Sequence, residues 1–209
     1  MRILLVDDHG IFRRGLKEIL AEEFPDAEFG EAGTAQAALE KITKCAWDAV
    51  VLDITMPGGS GLDVLKDIKR IRPSLPVLFL SMHPEEQYAV RVLKAGASGY
   101  ITKVRAASDL VIAFKKIMAG GKYISGPVAE TLLKHLQPGM DVPPHERLSN
   151  REYQIMRMIG SGQPNKEIAA ELSVSVQTVS THRSRLLKKM GLRTKADLIR
   201  YSIENHLVV

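Results

Sequence analysis

The sequence predicts an α/β protein in which a five-stranded parallel, doubly wound sheet is followed by a small all-α domain. Short apolar runs alternate with amphipathic helical segments through the first 120 residues. The apolar runs are almost continuous, which is typical of parallel strands covered by helices on both faces. After a stretch rich in proline and glycine, the last 60 or so residues carry helical patterns only.

Five apolar runs predict the strands of the sheet. They lie at residues 3–6, 27–32, 49–52, 77–80 and 99–101, and the second run is the weakest. Five amphipathic segments alternate with them and predict helices at residues 11–23, 35–43, 62–71, 85–95 and 108–118. The last of these follows a Ser or Asp cap. Each parallel crossover needs such a helix, so the alternation supports the doubly wound arrangement.

The pattern weakens after Gly120-Gly121 and then changes. A short helix is predicted at residues 128–136, followed by a linker at residues 137–144. We therefore divide the chain into a first domain at 1–120, a linker with one short helix at 121–146 and a second domain at 147–209. Helices in the second domain are predicted at residues 150–159, 165–172, 176–190 and 195–204, with stop or cap signals at Gly162, Ser175, Gly191 and Thr194.

Composition excludes several classes of protein. The chain has 209 residues, 45% of them hydrophobic, which argues against disorder. No stretch approaches the roughly 20 apolar residues of a membrane helix, and Asp7 and Asp8 interrupt any signal-peptide core. We therefore expect a soluble cytoplasmic protein with no membrane partner. Cys45, the single cysteine, cannot support an internal disulfide framework and is expected to be a packing residue.

Charge is distributed unevenly along the chain. Residues 1–120 hold 16 Lys/Arg and 16 Asp/Glu, whereas residues 147–209 hold 11 Lys/Arg and 5 Asp/Glu. A neutral first domain joined to a basic second domain indicates that the second domain meets a polyanion, most simply nucleic acid. A solvated basic face is the alternative.

Acidic residues follow the predicted strands. Asp7 and Asp8 end the first strand and Asp53 ends the third, while Ser81 and Thr102-Lys103 end the fourth and fifth. Ligands of doubly wound sheets bind at this edge. Three converging carboxylates repel one another, and Mg²⁺ is a suitable counter-ion because it prefers oxygen ligands. The alternative, that each Asp only caps the next helix, suits one Asp but not all three together with Lys103.

This arrangement resembles the receiver domain of two-component response regulators over residues 1 to about 120. The matching residues, in order, are Asp7-Asp8, Asp53, Met56-Pro57, Gly61, Ser81, Tyr100 and Lys103. Two departures are Val104 in place of the usual proline and Ser60 where many relatives carry Asp or Asn. His9 is interpreted as a helix-start residue because Mg²⁺ prefers oxygen.

The resemblance implies roles for these side chains. Asp53 is the phosphoacceptor, and it takes a phosphoryl group from a sensor histidine kinase. Asp8 and Asp53 bind Mg²⁺ with the backbone carbonyl of Thr55, and Asp7 acts largely through a water. Lys103 supplies an ammonium group to the transferring phosphoryl oxygens. Ser81 donates a hydrogen bond to the new phosphoryl group, and Tyr100 then rotates into the space that Ser81 leaves.

The second domain resembles the LuxR-type helix-turn-helix of NarL/FixJ regulators over residues 147 to about 205. The match consists of Leu148-Ser149-x-Arg151-Glu152, then Gly162-x-x-Asn165-Lys166-Glu167-Ile168-Ala169, then Ser175-x-x-Thr178-Val179-x-x-His182. Independently, two helices separated by a short turn, with a basic second helix, have the layout of this motif.

Helical geometry sorts the predicted recognition helix into two faces. One face is apolar and is expected to be buried, and it comprises Val176, Val179, Leu186, Leu187 and Met190. The opposite face is polar and suits a major groove. The predicted contacts to double-stranded promoter DNA are Asn165, Lys166, Gln177, Thr178, Ser180, Thr181, His182, Arg183, Ser184, Arg185 and Lys188. A homodimer, formed on phosphorylation or on DNA, follows from the resemblance and from the spacing of two half-sites.

The leading hypothesis is therefore a transcription regulator, not an enzyme, that binds DNA under the control of phosphorylation at Asp53. One alternative is an orphan regulator whose receiver works without phosphate. A less favoured alternative is a Mg²⁺-dependent phosphohydrolase with an aspartyl-phosphate intermediate, which the sequence leaves without an evident substrate pocket.

Overall fold

A computed structural model of the protein describes residues 1–56, 59–135 and 143–208. Its contacts divide the chain into two compact units, Met1–Leu136 and Gln137–Val209. No helix in the described part of the chain is long and apolar enough to cross a membrane.

The first unit is built on a five-stranded parallel sheet. Its strands are β1 (Arg2–Val6), β2 (Glu28–Ala32), β3 (Ala49–Asp53), β6 (Val77–Ser81) and β7 (Gly99–Thr102). Their order across the sheet is β2-β1-β3-β6-β7, and every neighbouring pair is parallel. The order reverses at β1, which places the ends of β1 and β3 side by side. The fold class predicted from the sequence is confirmed.

Five helices cover the two faces of this sheet. They are α1 (Gly10–Glu23), α2 (Ala35–Lys44), α3 (Gly61–Ile71), α4 (Glu85–Lys94) and α5 (Ala106–Met118). The bounds of α5 correct the prediction. It starts two residues before Ser108, after a short 3₁₀ turn at Lys103–Arg105, and its N-cap is Arg105 with no side-chain cap hydrogen bond in the described chain.

Burial of the strands explains their almost continuous apolar sequence. The five residues of β3 and of β6 are all buried. On one face of the sheet, strand residues such as Ile3 and Val51 pack against Leu16 and Leu20 of α1 and against Phe114 of α5. Burying a side chain of this size contributes about 1.5–3 kcal/mol. The core therefore holds the carboxyl ends of the strands in fixed register.

A small hairpin separates β3 from α3. It pairs β4 (Thr55–Met56) with β5 (Gly59–Ser60) in antiparallel fashion, and the sequence analysis did not predict it. Ser60 is buried and caps α3, with its Oγ accepting a hydrogen bond from the Leu62 amide at 3.3 Å. Ser, Asp and Asn are all good N-caps, so Ser60 can serve here as the N-cap of α3.

The chain beyond α5 stays with the first unit. The Tyr123 amide donates to the Ser98 carbonyl at 2.9 Å, and Tyr123 forms a parallel bridge with Gly99 at the free edge of β7. Helix α6 (Gly126–His135) then packs against α4. Ser125, just before α6, donates to the Glu85 carboxylate at the start of α4.

The second unit is all helical. After a 3₁₀ turn at Pro144–Arg147 come α7 (Asn150–Gly160), α8 (Asn165–Glu171), α9 (Val176–Met190) and α10 (Lys195–Glu204). Ser149, Ser175 and Thr194 cap the starts of α7, α9 and α10. Gly191 ends α9 in the left-handed conformation with φ of 68°, which glycine adopts without strain.

Candidate functional sites

The carboxylates predicted to converge do so at the carboxyl edge of the sheet. Asp7 and Asp8 follow β1, and Asp53 is the last residue of β3. Strand register pairs Val6 with Leu52, so the residues that follow these two lie at the same level. Ligand atoms of Asp7, Asp8, His9 and Asp53 all lie within 4.8 Å of one another. These four side chains form what we call the acid pocket.

Lys103 reaches the acid pocket from the end of β7. Its Nζ lies 2.6 Å from Asp7 Oδ2 and 2.7 Å from Asp53 Oδ2, and no more than 5% of any of the three side chains is exposed. The ammonium also lies 4.8 Å from the centre of the Phe12 ring, a cation–π distance. Burial works to lower the pKa of Lys103, but its bonds to Asp53 and Asp7 outweigh burial and raise it. Lys103 is thus a fixed positive charge.

Asp53 is held in an environment that disfavours its charge. Burial raises the pKa of Asp53 to about 6, although Lys103 acts in the opposite direction. Nearby Asp7 adds a like charge that also raises it. One ammonium shared by two buried carboxylates leaves the pocket with negative charge that a further cation would neutralise.

His9 is part of the acid pocket, although the sequence predicted it only as a helix-start residue. It is the residue just before α1, as expected of a helix-start residue, and its amide donates to Asp7 Oδ1 at 2.8 Å. Its ring Nδ1 also lies 2.8 Å from Asp8 Oδ1. The adjacency of His9 to the acidic pair in the sequence was the signal for this contact.

Gly61 packs closely against the backbone of Asp53 and Ile54. Its amide donates to the Ile54 carbonyl at 2.8 Å. A Cβ at this position would lie 2.0 Å from the Asp53 carbonyl oxygen, which only glycine avoids. Thr55, whose carbonyl was predicted as a metal ligand, starts β4, and its amide lies 3.4 Å from Asp53 Oδ1. The turn after β3 is therefore fitted closely to the acid that precedes it.

Ser81 and Tyr100 are both tied to His83, in the loop before α4. Ser81 ends β6 and is 1% exposed, and its Oγ accepts from the His83 amide at 3.1 Å. Tyr100 is 2% exposed, and its hydroxyl donates to the His83 carbonyl at 2.7 Å. The two side chains are therefore bonded to the same residue.

In the second unit, α8 and α9 form a helix-turn-helix. The Ser175 Oγ accepts from the Thr178 amide at 3.0 Å and fixes the start of α9. Asn165, at the start of α8, donates to Ser180 Oγ on α9 at 3.3 Å. Arg151 on α7 donates to the Leu172 carbonyl at 3.0 Å, which secures the turn from the other side.

The structure exposes part of the predicted DNA-contact set. The exposed members are Lys166, Gln177, Thr181, Ser184, Arg185 and Lys188, and the half-buried members are Asn165, Thr178, Ser180, His182 and Arg183. The predicted apolar face needs one correction. Val179, Leu186 and Met190 are buried and Leu187 is half-buried, but Val176 is 47% exposed. A side chain at the first helical position points back toward the helix N-terminus, so Val176 lies clear of the packed face.

His182 differs in character from its neighbours. Its Nδ1 is buried and has no hydrogen-bond partner among the described residues. Burial lowers the pKa of His182, and the positive charge of Arg151 lowers it further. The imidazole is therefore held in its neutral form, which does not attract phosphate as an Arg or Lys does.

Sequence reasoning missed the ion pair that joins α9 to α7. Lys189 Nζ lies 2.7 Å from Glu152 Oε2, and the Glu152 side chain is only 4% exposed. Glu152 also accepts from the Ser149 amide at 2.8 Å in a capping box. The Ser-x-x-Glu spacing signals the capping box, but no local pattern indicates a partner 37 residues away.

Two protein families match the chain, one for each unit. Residues 3–115 match the response regulator receiver domain, and residues 146–202 match the bacterial regulatory proteins of the luxR family. Together these matches cover the acid pocket and the helix-turn-helix.

Curated relatives and solved structures match this chain over nearly its whole length. The transcriptional regulatory protein MctR of Rhizobium johnstonii is 37% identical over 100% of this chain and 95% of its own. The response regulator UvrY of Escherichia coli K12 is 33% identical over 99% of this chain and 95% of its own. Among solved structures, RcsB of Salmonella enterica serovar Typhimurium, bound to the rprA promoter with the phosphomimetic BeF₃⁻, is 26% identical. Its TM-score is 0.64, and the match covers 96% of this chain and 98% of that one.

Proposed function

The chain belongs to the response regulators that join a receiver domain to a LuxR-type DNA-binding domain, and it is therefore a transcription factor; we propose that phosphorylation of Asp53 controls its binding to promoter DNA. The observation that carries this proposal is the buried triad in which Lys103 Nζ joins Asp7 and Asp53 at 2.6 and 2.7 Å. The triad presents one carboxylate as a nucleophile beside a fixed cation.

This geometry supports phosphoryl transfer to Asp53. An Asp53 carboxylate oxygen attacks the phosphorus of a phosphohistidine, and the N–P bond breaks with its electron pair left on the imidazole. The Lys103 ammonium, 2.7 Å from Asp53 Oδ2, lies where it can hold an oxygen of the new phosphoryl group. Ser81 is placed to donate its hydroxyl hydrogen to another oxygen once the bond to phosphorus has formed.

The acid pocket fits Mg²⁺. Asp7, Asp8 and Asp53 supply clustered carboxylate oxygens, the donor type that Mg²⁺ prefers, and the backbone carbonyl of Thr55 is the fourth proposed ligand. Bound Mg²⁺ would neutralise negative charge on the transferring phosphoryl oxygens. The like charges of Asp7 and Asp53 and the raised pKa of Asp53 support a cation at this place.

Phosphorylation in the acid pocket would affect the surface around α4 through His83. When Ser81 turns toward a phosphoryl group, its hydrogen bond to the His83 amide is lost, and Tyr100 is released from the same loop. Tyr100 then occupies the space that Ser81 vacates. This couples the pocket to α4, which begins at Glu85, two residues beyond His83. Phosphorylation would act by shifting a two-state equilibrium of this surface.

The DNA-binding surface is the polar face of α9 with the start of α8. Gln177, Thr181 and Ser184 are exposed and carry groups that can donate to or accept from base edges. Lys166, Arg185 and Lys188 supply positive charge for phosphates. Asn165 on α8 and Ser180 on α9 fix the two helices to each other. Thr178 bonds Ser175 at the start of α9, and Arg183 is half-buried.

The proposed partners of the protein follow from the same interpretation. The phosphodonor is a sensor histidine kinase, and the DNA-bound form is a homodimer on two half-sites. A cytoplasmic location suits both partners. The named relatives are regulators, so we favour a regulator over a phosphohydrolase.

The test compares DNA binding by wild type and Asp53→Asn, each with and without acetyl phosphate and Mg²⁺. DNA fragments are first selected from a random pool, and affinity and oligomeric state are then measured at one salt concentration, because phosphate contacts depend on salt. Asp67→Asn, at a half-buried acid on α3 that is paired with Arg70 and lies outside the acid pocket, is the matched control.

We expect acetyl phosphate to tighten DNA binding and promote dimers for wild type and Asp67→Asn only. Equal affinity under all conditions would replace the proposal with the orphan regulator. Steady turnover of p-nitrophenyl phosphate without DNA binding would favour the phosphohydrolase.

A further inference from the structure

Arg13, in the first turns of α1, contacts the backbone of Asp7, one of the residues of the acid pocket. Its Nη1 donates to the Asp7 backbone carbonyl at 2.5 Å, and its Nε donates to Glu31 Oε2 at 2.8 Å. The side chain is 19% exposed, and that of Glu31 is 35% exposed. The Arg13 guanidinium therefore links Asp7, which follows β1, to Glu31 on β2.

These contacts add to a backbone bond between the same two strands. The Asp7 amide donates to the Ala32 carbonyl at 3.1 Å. In the sheet register Glu31 lies opposite Leu5, two residues before Asp7. Asp7 is thus held at both its amide and its carbonyl, which limits rotation of its peptide groups and fixes the direction of its side chain.

The direction of the Asp7 side chain matters to the pocket. Its Oδ2 lies 2.6 Å from Lys103 Nζ, and its Oδ1 accepts from the His9 amide at 2.8 Å. A small backbone rotation at Asp7 would move both oxygens at once. Groups that orient a metal ligand from outside the coordination sphere typically change metal affinity by about 10–100-fold when they are removed.

We propose that Arg13 is a positioning residue for Asp7, that Glu31 orients Arg13, and that the pair sets the affinity of the acid pocket for Mg²⁺. The proposal rests on the assignment of the pocket as a metal site under Proposed function. The Arg13 side chain bonds the backbone of Asp7 and acts on the reacting groups through that residue.

Charge supports the pairing of Arg13 with Glu31. Hydrogen bonding from Arg13 lowers the pKa of Glu31, with smaller contributions from Lys17 and Arg14. The carboxylate is therefore ionised at neutral pH and holds the guanidinium fork in one orientation. Arg14, the next residue on α1, is exposed and provides a control of equal charge.

The experiment measures Mg²⁺ binding to the full-length, unphosphorylated chain by titration calorimetry. The variants are Arg13→Met, Arg13→Lys and Glu31→Gln, with Arg14→Met as the matched control and Asp8→Asn as the check on the site itself. Thermal melting of each variant reports whether it is folded.

We expect Arg13→Met to raise the Mg²⁺ dissociation constant about 10-fold or more, while Arg14→Met leaves it unchanged. Arg13→Lys should recover part of the loss, because lysine can bond Asp7 or Glu31 but cannot span both. Glu31→Gln should weaken binding less than Arg13→Met, since the bond to Asp7 remains.

Wild-type affinity in Arg13→Met, with binding abolished in Asp8→Asn, would overturn the positioning role and leave the metal site intact. Unchanged affinity in Asp8→Asn would instead overturn the metal site under Proposed function. If Arg13→Met does not fold, equal affinity in Arg13→Lys, Glu31→Gln and wild type would overturn the proposal.

Discussion

Lys189 on α9 forms an ion pair with the buried Glu152 on α7, with 2.7 Å between Nζ and Oε2. The same carboxylate closes the capping box at the start of α7. The contact therefore joins the helix that carries most predicted DNA contacts to the helix that opens the unit.

Replacing Lys189 with methionine leaves Glu152 buried without its cation. Because Lys189 is 46% exposed, we expect a loss of only about 1–2 kcal/mol from the second unit. Hydrogen exchange of the α7 amides in the full chain should become about 5–30-fold faster. Lys188→Met, one residue earlier and exposed, should leave exchange unchanged. The ion pair is without structural effect if the two variants exchange alike.

Glu152 also predicts a pH dependence. Burial works to raise the pKa of Glu152, but hydrogen bonds from Lys189 and Ser149 outweigh it and hold the pKa below the usual 4.5. The ionised form thus stabilises the folded unit fully above pH 4.5 and loses that contribution as the pH falls through the folded pKa. Between pH 7 and pH 3.5, wild type should lose more protection of the α7 amides than Glu152→Gln. Parallel losses in the two proteins would contradict the assignment.

Gly61→Ala tests how closely the turn is fitted to Asp53. The new Cβ would meet the Asp53 carbonyl oxygen at 2.0 Å, so the phosphoacceptor must move. A displacement of about 1 Å costs about 100-fold in rate for a positioned reacting group. Phosphorylation by acetyl phosphate, followed on phosphate-affinity gels, should slow by that order. Gly15→Ala on α1, where no atom lies within 4 Å of the added Cβ, should react at the wild-type rate.

Ser173, in the turn between α8 and α9, has a positive φ of 51°. A β-branched residue tolerates this conformation poorly, so Ser173→Val should destabilise the second unit by about 1–2 kcal/mol, whereas Ser173→Gly should not. Thermal unfolding of the full chain monitors both. Ser161→Val is the control, because Ser161 is also exposed but has a φ of −75°. Similar melting of the Ser173 and Ser161 valine variants would argue against strain in this turn.

Two substitutions on α9 separate base reading from phosphate binding. Gln177→Ala should relax sequence preference at one position by about 1–3 kcal/mol, with the salt dependence kept. Lys188→Ala should weaken binding to all sequences alike and reduce the slope of log affinity against log salt by about 1. Fluorescence anisotropy on selected and scrambled DNA at several salt concentrations distinguishes the two. A uniform loss in Gln177→Ala would remove it from the base-reading set.

Long periodic elements were predictable from the sequence, and short irregular ones were not. Helix α9 matches its predicted bounds of 176–190 because its caps and its 3.6-residue period agree. The β4–β5 hairpin was missed because two-residue strands show no period. The start of α5 was misplaced because Arg105 caps it in place of Ser108 or Asp109.

The acid pocket was predictable for a different reason. Asp7, Asp53 and Lys103 each end a strand, and parallel strands bring their ends to one edge. The Arg13–Glu31 pair was not predictable, because it depends on how α1 packs against the sheet. Val176 was misassigned because a helical wheel treats the first turn like the middle of the helix.

The bridge between Tyr123 and Gly99 has a consequence for association between chains. An exposed edge strand offers unpaired amides and carbonyls to a strand from another molecule, which is a route to aggregation. At β7 the chain's own backbone occupies that place, and Gly99 permits the close approach, since a Cβ there would meet Tyr123 at 3.0 Å. At the opposite edge, β2 carries Glu28 and Glu31, which form ion pairs with Arg2 and Arg13. The sheet is thus protected by backbone pairing at Gly99 on one edge and by charged side chains on the other.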